Sequence, residues 1–296
     1  IENTPSEGRK AFVAGLKKTP GGIESFGGVV ADDVLTAVDL ATGKTAWEAV
    51  EKGKGYNHPM GKRNGFGVSP AYHAGAVFAM GTTGRLYAYK AADGAKLWES
   101  DIGPAHQRLV AARDAGKMGQ GDMESSLVVA DGVLVAPAFD GYPIGLIGID
   151  PATGKELWRA AKVLHPMTTP SLFRAGGRTL LLAGSAPSPG TGRVTCLDPK
   201  TGKARWTFAD GLAAQKATFA GSDALVPVNL AVDPAKAGTD APTRETCRLG
   251  LLRVTADAAV LAWAAPDDPG WWYDNEPDCC AFVRAQVRGD RVLYYH

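Results

Sequence analysis

Short apolar runs alternate with turn residues along almost the whole chain. In the clearest part, the apolar runs Ala76–Met80 and Arg85–Tyr89 are separated by the turn Thr82–Gly84, and a second turn at Asp93-Gly94 follows. Apolar runs of this length between turns predict β-strands. The same order recurs around Ser125–Trp158 and Thr169–Trp206, so the sequence predicts successive up-and-down sheets of four strands.

One ten-residue segment occurs five times and sets the period of the chain. Its clearest copy is Ile149–Trp158, and the others are Val38–Trp47, Tyr89–Trp98, Leu197–Trp206 and a degenerate one, Val254–Trp263. Four copies place glycine four residues before the tryptophan, where a tight turn requires a positive φ. The tryptophans recur every 48 to 60 residues. A period near 50 with four strands predicts sheets that stack as the blades of a β-propeller.

The repeats define the expected domain organisation. Residues 1–25 form an N-terminal extension and residues 26–296 a single all-β propeller with about six blades represented. Blades end at Trp47, Trp98, Trp158, Trp206 and Trp263, and residues 279–296 supply a partial blade. Two strands are missing at each end. The termini are therefore expected either to share one blade, which leaves no open sheet edge, or to belong to a longer, eight-bladed ring.

Charge and hydropathy exclude two classes of partner. The chain has 32 basic and 31 acidic residues, so nothing favours nucleic acid or an anionic membrane surface. No apolar run reaches the length of a membrane span, and the first residues show no signal-peptide pattern. The absent initiator Met predicts a chain that is either processed or truncated. On the assumption that a signal peptide was removed before Ile1, we expect the protein to be periplasmic or secreted.

The repeat itself resembles a known family. The pattern A-x-D-x-x-T-G-x-x-x-W, present as Ala37–Trp47, is similar to the tryptophan-docking repeat of the pyrroloquinoline quinone (PQQ) β-propeller superfamily. That superfamily includes quinoprotein alcohol dehydrogenases and BamB-like assembly lipoproteins. The resemblance extends over roughly residues 26–295 and implies the fold, whereas the motif is scaffold and does not specify an activity.

The resemblance also implies where a site would lie. Related quinoproteins bind PQQ and Ca²⁺ where the first strand of each blade begins, with a carboxylate as base. The segments that precede those strands, here called lead-in segments, carry Asp122 and Glu124 as catalytic candidates. Their cofactor-binding candidates are Asn64, Arg63, His165, Lys216, Cys279 and Cys280. The alternative is that these residues are the polar rim of a water-filled channel, and no metal ligand set is assigned.

Three further features leave alternatives open. Cys279-Cys280 is either a vicinal disulfide, as the resemblance implies, or two separate thiols. Trp271, Trp272 and Tyr273 lie among acidic residues and form either a partner-binding loop or a cap on the core. Cys196 occupies the place of Ala37 and Ala88, which predicts a small residue packed in a strand, although a bridge to Cys247 is an alternative.

Two functions follow as hypotheses. The first is a non-catalytic PQQ-like propeller that binds a protein or a small ligand at its channel mouth in the cell envelope. The second is a quinoprotein oxidoreductase that uses PQQ and Ca²⁺ in the channel. Length favours the first, because eight blades with catalytic insertions require a longer chain.

Overall fold

A computed structural model describes residues 29–57, 68–102, 125–138, 144–164, 168–185, 193–209, 218–220, 222–229, 247–265 and 285–294. These residues form β-strands and turns, and no helix occurs among them. The chain divides into two compact units. The N-terminal unit comprises residues 1–127 and 151–155, and the C-terminal unit comprises residues 128–150 and 156–296.

The N-terminal unit contains a long hairpin and a four-stranded sheet. The hairpin pairs β1 (Val29–Val38) with β2 (Thr45–Asn57). The sheet has the order β3-β4-β5-β6, and its strands are β3 (Ala71–His73), β4 (Ala76–Met80), β5 (Leu86–Lys90) and β6 (Lys96–Ser100). Each strand pairs antiparallel with the next one in the chain.

The C-terminal unit contains three four-stranded sheets and a short hairpin, all antiparallel. The first sheet consists of β7 (Val128–Ala130), β8 (Val133–Ala138), β9 (Ile144–Ile149) and β10 (Glu156–Leu164). The second consists of β11 (Ser171–Ala175), β12 (Arg178–Ser185), β13 (Arg193–Leu197) and β14 (Ala204–Phe208). The third consists of β15 (Thr218–Ala220), β16 (Asp223–Asn229), β17 (Cys247–Val254) and β18 (Ala259–Ala264). The hairpin pairs β19 (Ala285–Arg288) with β20 (Arg291–Tyr294).

The core of the C-terminal unit lies between its stacked sheets. One apolar cluster joins β7–β10 to the second sheet and includes Leu146, Trp158 and Leu181. Another joins the second and third sheets and includes Phe173, Cys196 and Val226. The described residues of the middle strands β8 and β9 are all buried. Both faces of these strands are therefore covered, which explains their nearly continuous apolar sequence.

A β-bulge precedes the tryptophan in every repeat. In β2 the register changes between Ala37 and Val38, so Ala46 is the extra residue, and the same irregularity occurs in the other four copies. A bulge turns the following side chain and increases the local twist. The residue opposite the tryptophan is small in four copies, namely Ala37, Ala88, Gly148 and Cys196.

Each of the first four tryptophans docks on the turn of the following repeat. The indole N–H of Trp47 donates to the carbonyl of Ala91 (2.9 Å), and that of Trp98 to the carbonyl of Pro151 (2.9 Å). In the C-terminal unit, Trp158 donates to Pro199 (2.8 Å) and Trp206 to Thr255 (3.1 Å). The rings of the first three lie so close to Gly94, Gly154 and Gly202 that a Cβ would overlap them.

The structure confirms the predicted all-β fold of four-stranded antiparallel blades, with differences in detail. β2 continues to Asn57, ten residues beyond the predicted end at Trp47, because it pairs with β1 along nearly its whole length. The two described strands in the region of the predicted partial C-terminal blade are residues 285–288 and 291–294. Cys196 is buried in β13 as predicted, and it is a free thiol, so the alternative bridge to Cys247 is wrong.

Replacing Gly94 with alanine is expected to destabilise the protein more than replacing Gly43 with alanine. Both glycines occupy the same repeat position with left-handed φ angles of +73° and +68°, so each alanine incurs a similar strain of about 1–2 kcal/mol. Only at Gly94 would the new Cβ lie 2.6 Å from Cε3 of Trp47, and this overpacking adds about 1–3 kcal/mol. The urea unfolding midpoint in dilute solution measures the difference. Equal midpoints would show that the indole does not rest on the turn.

Candidate functional site

The site residues predicted from the sequence lie outside the described residues. This holds for the lead-in candidates Asp122, Glu124, Asn64, Arg63, His165, Lys216, Cys279 and Cys280, and for Trp271, Trp272 and Tyr273. The structure therefore neither brings them together nor separates them, and their roles stay predictions.

The described parts of the lead-in segments carry hydroxyl groups. The backbone N–H of Ser69 donates to Oγ of Ser126 at 3.0 Å, which joins two lead-in segments of the N-terminal unit. Ser125 is fully buried. In the C-terminal unit, the buried Thr168 donates to the carbonyl of Gly184 at 3.5 Å, within its own sheet. Where they are described, residues 68–70, 125–127 and 168–170 carry hydroxyl groups and no charged side chain.

A second group of polar side chains lies in the N-terminal unit, at the end of the strands away from the docking turn. We call Asp33, Glu51, Tyr87, Tyr89, Arg85, Lys96 and Glu99 the carboxylate cluster. Asp33 and Glu51 are paired across β1 and β2. They lie on the same hairpin face as Leu35, Ala49 and Trp47, because side chains two residues apart in a strand share a face. That face packs on Tyr87 and Tyr89 of β5.

Asp33 joins the hairpin to the turn between β4 and β5. Its Oδ1 accepts hydrogen bonds from the backbone N–H (3.1 Å) and the hydroxyl (2.9 Å) of Thr82. The neighbouring Thr83 hydroxyl, which is buried, donates to the carbonyl of Lys54 at 3.0 Å. Gly55 and Gly81 pack so closely on the Asp33 carboxylate that a Cβ at either position would overlap it. The hairpin is therefore held at both ends, by Trp47 at one turn of β5 and by Asp33 at the other.

Glu51 is a buried carboxylate with two partners. The hydroxyl of Tyr89 donates to its Oε1 at 3.0 Å, and Nζ of Lys96 lies 2.6 Å from the same oxygen. Lys96 also pairs with Glu99 at 3.0 Å, and this hydrogen bond is the main reason that the pKa of Glu99 lies below its usual value. Arg85 then pairs with Glu99 at 2.8 Å. The charges form a continuous network.

Two tyrosines lie at the centre of the cluster. Burial is the main cause that raises the pKa of both phenols well above the usual value. The negative charge of Asp33 raises the pKa of Tyr87 further, and the hydrogen bond to Glu51 raises the pKa of Tyr89 further. The rings stack with their centroids 6.2 Å apart, and Nζ of Lys96 lies 5.6 Å from the centroid of the Tyr87 ring. Both phenols are therefore neutral near pH 7. The Tyr89 hydroxyl donates to Glu51, whereas the buried Tyr87 hydroxyl has no hydrogen-bond partner among the described residues.

The carboxylate cluster belongs to this part of the chain and not to the repeat. At the positions of Tyr87 and Tyr89, the first C-terminal sheet has the buried residues Ile147 and Ile149. Aligning the repeats shows this exchange of isoleucine for tyrosine, so the sequence contained a signal for the cluster. Its members Asp33 and Glu51, however, lie 18 residues apart, and only the register of the hairpin brings them together.

The cluster does not fit a divalent cation or PQQ. Its carboxylates are already bound by ammonium, guanidinium, phenol or threonine groups, and Asp33 is packed between two glycines. No group of three or more His, Cys, Asp or Glu side chains that could hold a metal occurs within the described ranges. The arrangement can orient the hairpin on the sheet.

Comparison with known families gives one match over most of the chain. The family model of the outer membrane protein assembly factor BamB matches residues 31–221. This match confirms the predicted resemblance to PQQ-like repeats and the propeller fold. No curated protein sequence matches the chain significantly.

Solved structures with similar folds include members of both groups in the predicted superfamily. BamB from Moraxella catarrhalis is 14% identical with a TM-score of 0.47, and the match covers 82% of this chain and 62% of that one. A quinohemoprotein alcohol dehydrogenase from Pseudomonas putida is 17% identical with a TM-score of 0.48, covering 77% and 38%. The corresponding enzyme from Comamonas testosteroni is 15% identical with a TM-score of 0.47, covering 78% and 39%. The chain spans less than two thirds of each of these proteins, and likeness at this level says nothing about activity.

The two buried phenols predict a loss of stability in alkaline solution. Their pKa values in the folded state lie above the usual value of 10.0, so the unfolded chain releases these protons first. Their stabilising effect is complete below pH 10 and falls as the pH rises above it. The urea midpoint of the wild type should therefore fall more steeply above pH 10 than that of the double variant Tyr87→Phe, Tyr89→Phe.

The control for this measurement is Tyr72→Phe, which removes a phenol that is 66% exposed on β3. Identical alkaline slopes in the wild type and the double variant would contradict the assignment of neutral, buried phenols.

Proposed function

Because the chain belongs to the family of the outer membrane protein assembly factor BamB, we propose that it is a non-catalytic β-propeller that binds a protein partner in the cell envelope. The observation that carries the proposal is the extent of the match. Residues 31–221 include the N-terminal hairpin and three complete sheets with their docking tryptophans. The matched region is thus a stack of blades, and its repeated residues pack each blade on the next one.

The chemistry of the described residues supports a binding role. The repeated Asp, Thr and Gly side chains hold turns: Asp39 Oδ1 accepts from the backbone N–H (2.8 Å) and the hydroxyl (2.6 Å) of Thr42. The hydrogen bond from the hydroxyl is the main reason that the pKa of Asp39 is lowered. The carboxylate cluster is likewise engaged in holding the hairpin. These residues hold the turns and the hairpin in place, as the rigid blades of a scaffold require.

The proposed envelope location is supported by the family, which is described as an outer membrane protein assembly factor. Among the described residues, no helix is long and apolar enough to cross a membrane.

The second candidate is a quinoprotein oxidoreductase that uses PQQ and Ca²⁺. Its catalytic residues would be Asp122 and Glu124, with Asn64, Arg63, His165, Lys216 and the Cys279-Cys280 pair toward the cofactor. The resemblance of the repeat to that of quinoproteins favours this second function. The carboxylates of the carboxylate cluster are bound by neighbouring side chains and would take no part in it.

Titration with PQQ and Ca²⁺ distinguishes the two functions. The scaffold hypothesis predicts no absorbance from bound quinone and no dye-linked oxidation of primary alcohols. The variant Glu124→Gln serves as the matched control, because a quinoprotein would lose activity on this change while a scaffold would behave like the wild type. Binding of PQQ together with alcohol oxidation that Glu124→Gln abolishes would overturn the scaffold hypothesis.

The partner-binding loop is proposed to contain Trp271, Trp272 and Tyr273. Aromatic side chains are enriched at the centres of protein interfaces. Replacing Trp271 and Trp272 with alanine should therefore reduce capture of an envelope partner at least tenfold, with the circular dichroism spectrum unchanged.

Quantitative cross-linking in isolated cell envelopes measures this capture. Tyr72→Ala is the control, because it removes an exposed aromatic ring from a described strand outside the loop. A partner retained by the double variant would exclude the loop as the binding site, and the absence of any specific partner of the wild type would contradict the scaffold function.

A further inference from the structure

The strand that carries the repeat tryptophan lies at an edge of its sheet in every described repeat. These edge strands are β2, β6, β10, β14 and β18. An edge strand has a row of backbone N–H and carbonyl groups that no strand of its own sheet bonds, and these groups can pair with a strand of another molecule. Complete four-stranded sheets precede and follow β10 in the chain, so its edge belongs to the interior of the repeat array.

Three of these edge strands are short. β6 and β14 have five residues each, and β18 has six. The bulge before the tryptophan interrupts each of them, so that only Trp98–Ser100 of β6 and Trp206–Phe208 of β14 continue in regular register after it. By contrast, β2 has 13 residues and β10 has nine. A long edge strand offers more groups for pairing than a short one, so β2 and β10 are the edges at risk.

β2 and β10 each contain a second bulge, which the short edge strands lack. In β10 three residues, 161–163, lie opposite the single residue Gly145. In β2 residues 52–54 lie opposite the single residue Asp32. The bulge in β10 begins three residues after its tryptophan and the one in β2 begins five residues after. These second bulges are therefore not part of the tryptophan repeat.

The central residue of each second bulge has left-handed backbone geometry. In β2 it is Gly53, with a φ of +65°, and in β10 it is Lys162, with a φ of +56°. Gly53 is flanked by Lys52 and Lys54, and all three lysines are exposed. Each second bulge therefore places at least one ammonium group beside the edge of its sheet.

Lysine is an unfavourable residue at this backbone geometry. Glycine adopts a positive φ without steric cost, whereas a residue with a Cβ is strained there. The other described non-glycine residues with positive φ, Ala74 and Asp131, occupy two-residue hairpin turns, which require that geometry. Lys162 lies within a strand, and its side chain is exposed and not packed in the core. A strained residue that packing does not explain indicates a role for its side chain.

We propose that the second bulges of β2 and β10, with their lysines, keep these edges from pairing with the edge of a second copy. A pairing strand needs evenly spaced N–H and carbonyl groups, and three residues opposite one break that spacing. Two copies that met edge to edge would also bring their ammonium groups together, and like charges directly opposite each other destabilise a strand pair. The inference goes beyond the proposed function and does not depend on it.

Deleting Ala161 and Lys162 tests this role. The deletion leaves Val163 as the only residue opposite Gly145, so β10 becomes regular after its tryptophan bulge. In sedimentation equilibrium, the average mass of the variant should be about twofold or more above that of the wild type at the same concentration, because edge pairing joins two or more copies. Hydrogen exchange should show new protection of the backbone N–H groups of β10 in the associated form, which distinguishes edge pairing from aggregation of unfolded chains.

Point variants at Lys162 separate the charge from the bulge. Lys162→Gly keeps the bulge and removes both the charge and the backbone strain. It should therefore raise the urea midpoint and give an average mass between those of the wild type and the deletion variant. Lys162→Arg keeps the charge and is the matched control, which should have the mass of the wild type.

Deleting Lys52 and Gly53 applies the same change to β2, and it serves as a second test if the shortened β10 does not fold. Circular dichroism establishes which variants fold. A folded deletion variant with the mass of the wild type would overturn the proposal. A Lys162→Arg variant as heavy as Lys162→Gly would overturn the role assigned to the lysine.

Discussion

The hydrogen bond from a tryptophan indole to a turn carbonyl of the next repeat is the interaction on which the rest of the structure depends. The bond contributes only about 1 kcal/mol. An indole that buries about 150–250 Å² contributes on the order of 4–6 kcal/mol, so packing supplies the stability and the bond fixes the position. Three local features prepare each docking: a β-bulge before the tryptophan, a small residue opposite it in most copies, and a glycine in the receiving turn.

The N-terminal unit adds a polar contact to this apolar one. Its hairpin is joined to β3–β6 by Asp33 and Glu51 as well as by Trp47. Buried ion pairs give little net stability, because desolvation offsets their attraction, but removing one partner is costly. We therefore infer that Glu51, with Tyr89 and Lys96, acts chiefly to select one arrangement of the hairpin. An apolar face alone would allow the hairpin to slide along the sheet.

Much of the fold was predictable, because the period of the tryptophans and the glycine turns encode four-stranded blades locally. The carboxylate cluster was not predicted, although Tyr87 and Tyr89 replace the Ile147 and Ile149 of another repeat. Asp33 and Glu51 meet through hairpin register, and Thr82 reaches Asp33 from a different sheet. Candidates chosen by position in a repeat, such as Glu124 and His165, stay predictions, because the repeat specifies where a segment lies and not what its side chains contact.

The strands, the turns and the repeated tryptophan of each blade follow from local sequence, because they depend on residues close to one another in the chain. Which of these equivalent residues are covered depends instead on how the sheets pack on one another. Val38 and Tyr89 share a repeat position, yet one is 58% and the other 2% exposed, because burial depends on what packs against the face. The tertiary structure likewise decided that Trp158 is docked while Trp263 is exposed, since an indole is buried only where a second turn meets it.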